Sequence, residues 1–283
     1  MKRFIISICI VITIKTVSAQ YSDNDPIVQL KSNETEILGE ISYRFLYEQT
    51  ETPDILAPDE KNKYAMYLEV SDESSKYVDQ RRVMVDSIRY EHAQQKIHPD
   101  KTSSLTIPLL RNSNKEIIHK NYPKGKITTI NRIPFNFYIF DEEFITPEWK
   151  LIAGDTTVCG YRCRKASTKF RGRNFTAWYA PDIPISDGPW KFAGLPGLIM
   201  KISDKKNHYS FVCIGIEKFN KPTNLYISIS PNMIKVTKQQ FYQKQKIYMG
   251  NPGAHISNTG QLFTELPQSA YRSKPYNPIE LSE

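Results

Sequence analysis

Apolar and polar positions alternate along most of this chain. In Glu40–Tyr47 the apolar side chains fall on Ile41, Tyr43, Phe45 and Tyr47, a period of two that predicts a strand with one buried face. Tyr64, Met66, Leu68 and Val70 repeat it, and residues 51–63 between them, with Pro53, Pro58 and several charges, read as a loop. Glu116–Lys120 and Ile127–Asn131 flank Tyr122-Pro-Lys-Gly-Lys126 as a hairpin with a longer turn. Around Phe135, Phe137 and Ile139 the intervening Tyr138 and Phe140 are also apolar, which predicts a strand central in a sheet. Residues 149–179 read as a meander, with Gly154-Asp155 and Arg171-Gly-Arg173 as turns. Leu198–Ser203 and Tyr209–Lys218 form a second hairpin around Asp204-Lys-Lys-Asn207, and Asn224–Ser230 is a late strand.

Two stretches change period. In Ser71–His98 the residues Val78, Met84, Val85 and Ile88 recur near helical spacing among Arg81, Arg82, Asp86 and Arg89. This predicts a surface helix capped by Ser71, Ser74 or Ser75 and stopped by Pro99. Residues 101–114 then read as a loop broken by Pro108, and Thr237–Met249 as a shorter helix. The fold class is α+β and mostly antiparallel β: one large strand-rich domain over residues 40–250, with a barrel-like sheet, closed or unclosed, and one long surface helix. Polar residues 20–39 are expected to be a flexible lead-in, and proline-punctuated residues 251–283 a poorly ordered tail.

The start of the chain carries a different signal. Lys2 and Arg3 precede the apolar run Phe4–Ile14, and Val17-Ser18-Ala19 makes a small-residue cleavage site, so residues 1–19 read as a secretory signal peptide. The expected location is exported, in the periplasm or at the outer membrane, with no transmembrane span in the mature chain. Losing Lys2, Arg3 and Lys15 lowers the formal charge of +8 by three. The remaining basic residues are scattered, apart from Arg162–Lys165 with Lys169, Arg171 and Arg173, which reads as a solvated strand face. No stripe dense enough for nucleic acid is present. With only 12 glycines against 17 Tyr and 13 Phe, the composition suits a strand-rich core rather than a nucleotide-binding α/β enzyme.

Sharp chemical motifs are missing. There is no phosphate-binding glycine loop, no Gly-x-Ser-x-Gly elbow and no His-Glu-x-x-His, so no cofactor and no metal is implied. His98, His119, His208 and His255 are scattered. Cys9 leaves with the signal. Cys159, Cys163 and Cys213 remain, either as buried free thiols or with one disulfide among them. Cys159 and Cys163 would lie about 13 Å apart on a continuous strand, unless Gly160 bends it, whereas Cys163–Cys213 would link neighbouring strands. Asp141-Glu-Glu143 reads as a solvated strand end.

The segment Asp187-Gly-Pro-Trp-Lys-Phe-Ala-Gly-Leu-Pro-Gly-Leu-Ile-Met200 stands apart. Leu195-Pro196-Gly197-Leu198 matches a type II turn, with glycine at the positive-φ position. Leucines on both flanks make it either a corner packed on the core or an apolar lip at a cavity mouth. The preceding Ala180–Pro189, with three prolines, is expected to run extended over the surface. Trp178, Tyr179, Trp190 and Phe192 bracket it, and tryptophan and tyrosine are enriched where proteins bind partners. With Ile183-Pro-Ile185, Ala177-Trp-Tyr179, Phe170-Arg-Gly-Arg173 and Gly160-Tyr-Arg-Cys-Arg-Lys-Ala166, the segment resembles the GLPGLI family of exported Bacteroidetes envelope proteins. The resemblance covers residues 140–217. It implies a compartment and a host group, and no reaction.

The expected function is therefore a non-enzymatic binding or accessory module of the cell envelope, taking an apolar ligand or a protein partner. Its contact residues would be Trp178, Tyr179, Asp187, Trp190, Phe192, Leu195, Pro196 and Leu198. No catalytic residue is assigned. The alternatives are an envelope hydrolase with a carboxylate or thiol site near the same segment, and a structural accessory of an outer-membrane assembly.

Overall fold

The computed structural model describes residues 34–258 and 265–281. The signal-peptide reading of residues 1–19 lies outside them, as does the lead-in as far as residue 33. From Glu34 the chain is already a strand. β1 (Glu34–Glu40) pairs antiparallel with β13 (Asn224–Ile229) in a two-stranded sheet, so the end of the expected lead-in is structured.

The main sheet is built from β2 (Tyr43–Glu51), β3 (Asn62–Val70), β4 (Ser75–Asp79), β5 (Ile117–Lys120), β6 (Lys126–Ile133), β7 (Asn136–Glu143), β8 (Lys150–Val158), β9 (Tyr161–Phe170), β10 (Arg173–Ala180), β11 (Leu198–Asp204), β12 (Tyr209–Lys218) and β14 (Ile234–Lys235). Their spatial order is β14-β7-β6-β5-β4-β3-β2-β12-β11-β10-β9-β8, antiparallel except for the β14–β7 pair. The sheet curls until β8 touches β12, with three strands between them in that order, yet the two are not hydrogen-bonded. The result is a trough rather than a closed barrel, and the α+β, mostly antiparallel class holds.

Alternation on β2 and β3 places Phe45, Tyr47, Met66 and Leu68 in the core. Several expectations from pattern alone need correction. The stretch after Ser71 is not one helix. Ser75–Asp79 is fully buried and pairs with both β3 and β5, so sheet pairing overrides helical spacing there. α1 (Gln80–Gln94) begins one turn later, with Asp79 accepting from the Arg81 amide as its cap. Pro99 starts a helix instead of only stopping one: α2 (Pro99–Arg111) occupies the expected loop, because a proline in the first turn loses no hydrogen bond. β7 is not central but lies one short strand from the edge. It is apolar on both faces because Tyr138 and Phe140 pack on Phe241 of α3 (Lys238–Gly250), while Ile139 packs with Ile130 and Ile227.

The expected tail is also folded in part. α4 (Pro252–Asn258) and a 3-10 turn at Gln268–Tyr271 lead to a strap, residues 277–281, that packs into the trough. Arg173 holds this strap. Its Nε donates to the Ile279 carbonyl at 2.9 Å, and its Nη2 donates to the Asn277 side chain at 2.7 Å and the Pro278 carbonyl at 2.6 Å. Arg173 is only 5% exposed, so this end of the basic run is interior rather than a solvated face. No described helix is long and apolar enough to cross a membrane.

Candidate functional site

The proline-rich segment 181–197 fills the trough instead of crossing its surface. Its four prolines remove ladder donors, so the remaining amides bond locally or to the trough. Ile183 N donates to Ala180 O at 3.2 Å, Leu198 N to Ile183 O at 3.1 Å and Ile199 N to Asp187 O at 3.0 Å. The Leu195–Leu198 corner lacks the hydrogen bond of a type II turn. Leu198 N is taken by Ile183, and Gly197 N donates to Leu195 O at 2.8 Å. Gly197 does have the expected positive φ, +140°, and a Cβ there would lie 2.2 Å from Ala180 O.

Apolar side chains of this plug form the centre of the core. Phe192 is 0% exposed, and its ring lies 4.8 Å from Phe175, 5.1 Å from Trp190 and 6.1 Å from Phe211. Tyr179, Leu195 and Leu198 are buried with it. Five of the eight expected contact residues are therefore interior: Tyr179, Trp190, Phe192, Leu195 and Leu198. The corner packs inward, and the apolar lip is not formed. Trp178 points to the other face of β10, half-buried under Lys165 at 5.2 Å. Pro196 is exposed. Trp190 and Asp187 line two cavities, which lie at opposite ends of the strands.

Two buried lysines pin the plug. Lys120, 1% exposed at its side chain, donates to the Asp187 carboxylate and to Gly188 O at 2.6 Å. Burial pulls its pKa down and Asp187 opposes that pull. Lys191, with no exposed surface, is bonded to Glu142 and lies 2.5 Å from Glu280 of the strap. Burial also disfavours its charge, but Glu280, Glu142 and Glu116 outweigh burial and raise its pKa. Glu280 is held at about 2, because Lys191 and Lys238 overcome the upward effect of burial. Glu142 also takes Arg171 at 2.5 Å and Lys238 at 3.1 Å, so the middle residue of the acidic cluster is an interior hub, while Asp141 and Glu143 are exposed as expected.

At the Trp190 end lies a cavity of about 640 Å³. Its floor holds Trp190, Tyr209, Tyr242 and two carboxyls, Glu51 and Glu116. Burial pushes Glu116 up to about 7; Lys191 opposes this, while Glu280, Glu142 and Glu51 add to it. Burial likewise raises Glu51, which accepts from Tyr64 at 3.1 Å and Asn62 at 3.3 Å. The Trp190 indole N–H is buried without an acceptor among the described residues.

Basic side chains surround this floor: Lys61, Lys63, Arg81, Arg111, Lys115 and Arg132. Lys115 donates to Leu110 O and to Arg111 O at 3.1 Å, capping α2. Arg81 donates to Asn112 O at 2.6 Å, and Arg132 lies over the Phe137 ring at 5.3 Å. Carbonyls and a ring position these cations without neutralising them. Among the described residues, only Lys63 of the six pairs with a carboxylate, Glu48 at 3.6 Å.

The second cavity, about 470 Å³, opens at the Asp187 end beside Ser71, Ser75, Asp72 and Glu73. Ser75 is the cross-strand neighbour of Lys120, and its hydroxyl has no partner. Sequence reasoning missed Glu51, Glu116, Lys115, Lys120, Lys191 and Glu280. The available signal was a lone lysine inside an apolar run, Ile117-Ile118-His119-Lys120 and Trp190-Lys191-Phe192.

Residues 164–201 match a family model described as "Protein of unknown function (Porph_ging)". The match spans β9 from Arg164, β10, the plug and the start of β11. The chain is thus similar, over its core-filling segment, to a family without settled activity. No curated protein matches it. Structures of PNGF-II in two space groups are similar at TM-scores of 0.46 and 0.44, with 12% and 14% sequence identity. They cover 72% and 73% of this chain, which itself spans only 32% of theirs.

Proposed function

We propose that this chain is an exported envelope protein of the GLPGLI type that acts as a binding module, and that the cavity beside Trp190 takes an acidic, hydrogen-bonding ligand. One observation carries this reading: six cations line the cavity and, among the described residues, only Lys63 of them pairs with a carboxylate, while Trp190, which also lines it, has a buried indole N–H without an acceptor among those residues. Clefts lined by one sign of charge concentrate ligands of the other. A buried donor without an acceptor is costly, and an anionic oxygen on the ligand would satisfy it. The tyrosines at the floor supply flat apolar surface and hydroxyls, which suits a ligand that is polar at its edges. The leader and the family resemblance support export. An apolar ligand on the plug finds no support, because the apolar side chains there already pack on one another.

The test is calorimetric titration of the mature protein with three acidic probes: inorganic pyrophosphate, an oligogalacturonate and a heparin-derived tetrasaccharide. One-to-one binding by at least one probe is expected, weakening as salt rises. Lys115→Ala with Arg132→Ala should weaken it by at least about tenfold. No binding by any probe at low ionic strength refutes the reading.

The hydrolase alternative has one observation of its own. Glu116 is poised near neutrality beside a second carboxyl, the condition suited to general acid or base work. Turnover of a bound probe that disappears in Glu116→Gln would establish it. Binding that survives the substitution without turnover leaves the module non-enzymatic.

A further inference from the structure

Curling of the sheet brings cysteines from distant strands together. Cys159 occupies the tight turn between β8 and β9, exposed and at φ +49°. Cys213 sits in β12, 2% exposed, beside the bulge where β12 slips register against β2. Three strands separate β8 from β12 in the sheet order, yet the two touch. The Cys159 thiol is thereby brought near enough to Cys213 to add to the upward push on its thiol. Cys163 is less well placed. It faces inward from β9 opposite Thr156, set back along the hairpin from Cys159, and its thiol donates to Tyr161 O at 3.4 Å.

We propose that Cys159 and Cys213 form a disulfide that ties the β8 edge of the trough to β12, made by exchange with a disulfide donor. Exposed Cys159 reacts first: its thiolate attacks one sulfur of the donor, the other donor sulfur leaves as a thiolate, and a mixed disulfide forms. Cys213 then attacks the Cys159 sulfur and expels the second donor thiolate. The two protons lost by the protein thiols go to the donor thiolates. The protein gives up two electrons and the donor disulfide becomes two thiols. Burial pushes the Cys213 thiol up to about 12, so Cys213 is the poorer attacking group and ring closure is the slower step.

This cross-link has a structural purpose. Among the described residues β8 is an edge strand with no partner on its outer side, and Leu151 and Ile152 on it are 61% and 42% exposed. Such edges pair with other chains unless restrained. A covalent tie at the end of β8 holds the edge in its curl, and the neighbouring Cys163 remains a buried packing thiol.

Non-reducing peptide mapping of the mature protein, without Cys9, equilibrated in a glutathione redox buffer and then alkylated, tests the proposal. A peptide linking Cys159 to Cys213 is expected, with Cys163 alkylated only after denaturation and an intact mass about 2 Da below the reduced form. Cys163→Ala should keep the link. Cys159→Ser, at an exposed position, should fold and lose it. Oxidation should raise the melting temperature of the parent and leave that of Cys159→Ser unchanged. Three alkylatable thiols after oxidation, or a link that includes Cys163, would overturn the assignment.

Discussion

Lys191 and Glu280 are 89 positions apart in the chain and 2.5 Å apart in the fold, and their side chains are 0% and 3% exposed. Attraction between buried charges is offset by the cost of removing them from water, so the pair is not a large net gain. Removing one partner is different. Glu280→Ala leaves Lys191 with Glu142 alone and strips Lys238 of a carboxylate 2.6 Å away. The expected loss is about 3–5 kcal/mol, read as a lower midpoint in urea unfolding.

Acid and base should act on different carboxyls. Glu280 is held at about 2 in the fold, against an ordinary 4.5. The unfolded chain takes this proton first, so the stability it contributes is present above about pH 4.5 and drains away as pH falls toward 2. Glu116 has the opposite sign. Its folded pKa of about 7 means the fold holds the proton longer than the unfolded chain, so stability falls as pH rises from 4.5 to 7. Melting temperatures across pH should show both slopes. Glu116→Gln should remove only the second and melt higher than the parent above about pH 7.

Ligand binding should follow the same proton. An acidic probe meets a neutral Glu116 at low pH and a charged one at high pH, so affinity should drop as pH passes about 7. In Glu116→Gln this dependence should flatten. Titrations of the same probe at several pH values decide it.

Trp190 separates packing from recognition. Trp190→Ala should cost about 3–5 kcal/mol, because the ring lies against Phe192 and Phe170 in the core. Trp190→Phe retains an aromatic ring but removes the buried N–H together with the five-membered half of the indole. It should fold, yet bind the acidic probe about tenfold more weakly, the loss of a hydrogen bond to a charged group.

Gly197→Ala tests the corner. A methyl group would collide with the Ala180 carbonyl at 2.2 Å and be strained at φ +140°. At least about 2 kcal/mol of destabilisation is expected, measured by urea unfolding.

Much of the sheet was legible in the sequence, because period-two alternation is a local signal: β2, β3, the β8–β10 meander and the β11–β12 hairpin all follow it. Ser75–Asp79 was not, because every position there is buried and no alternation survives. The plug misled for a related reason. Prolines predict the absence of ladder bonds, which surface loops also lack, and only the curl of the sheet creates an interior space for such a segment. The cavity was illegible because its residues come from the ends of several strands and helices, from Gln49 to Ile279, and the charged ones alone resemble ordinary charged turns. The buried lysines carried the missed clue, since an ammonium flanked by tryptophan and phenylalanine needs a partner from elsewhere in the chain.

The strap at residues 277–281 gives the fold a test of completeness. Arg173 and Lys191 are enclosed by strands and plug, and their partners Asn277, Pro278, Ile279 and Glu280 come from far downstream. A product cut short of Asn277 could form the same strands, but it would enclose two cations without those partners. Such a fragment pays for its missing residues in the centre of the molecule, far from the cut. Quality control that senses only instability would therefore sort chains that carry the strap from chains that lack it.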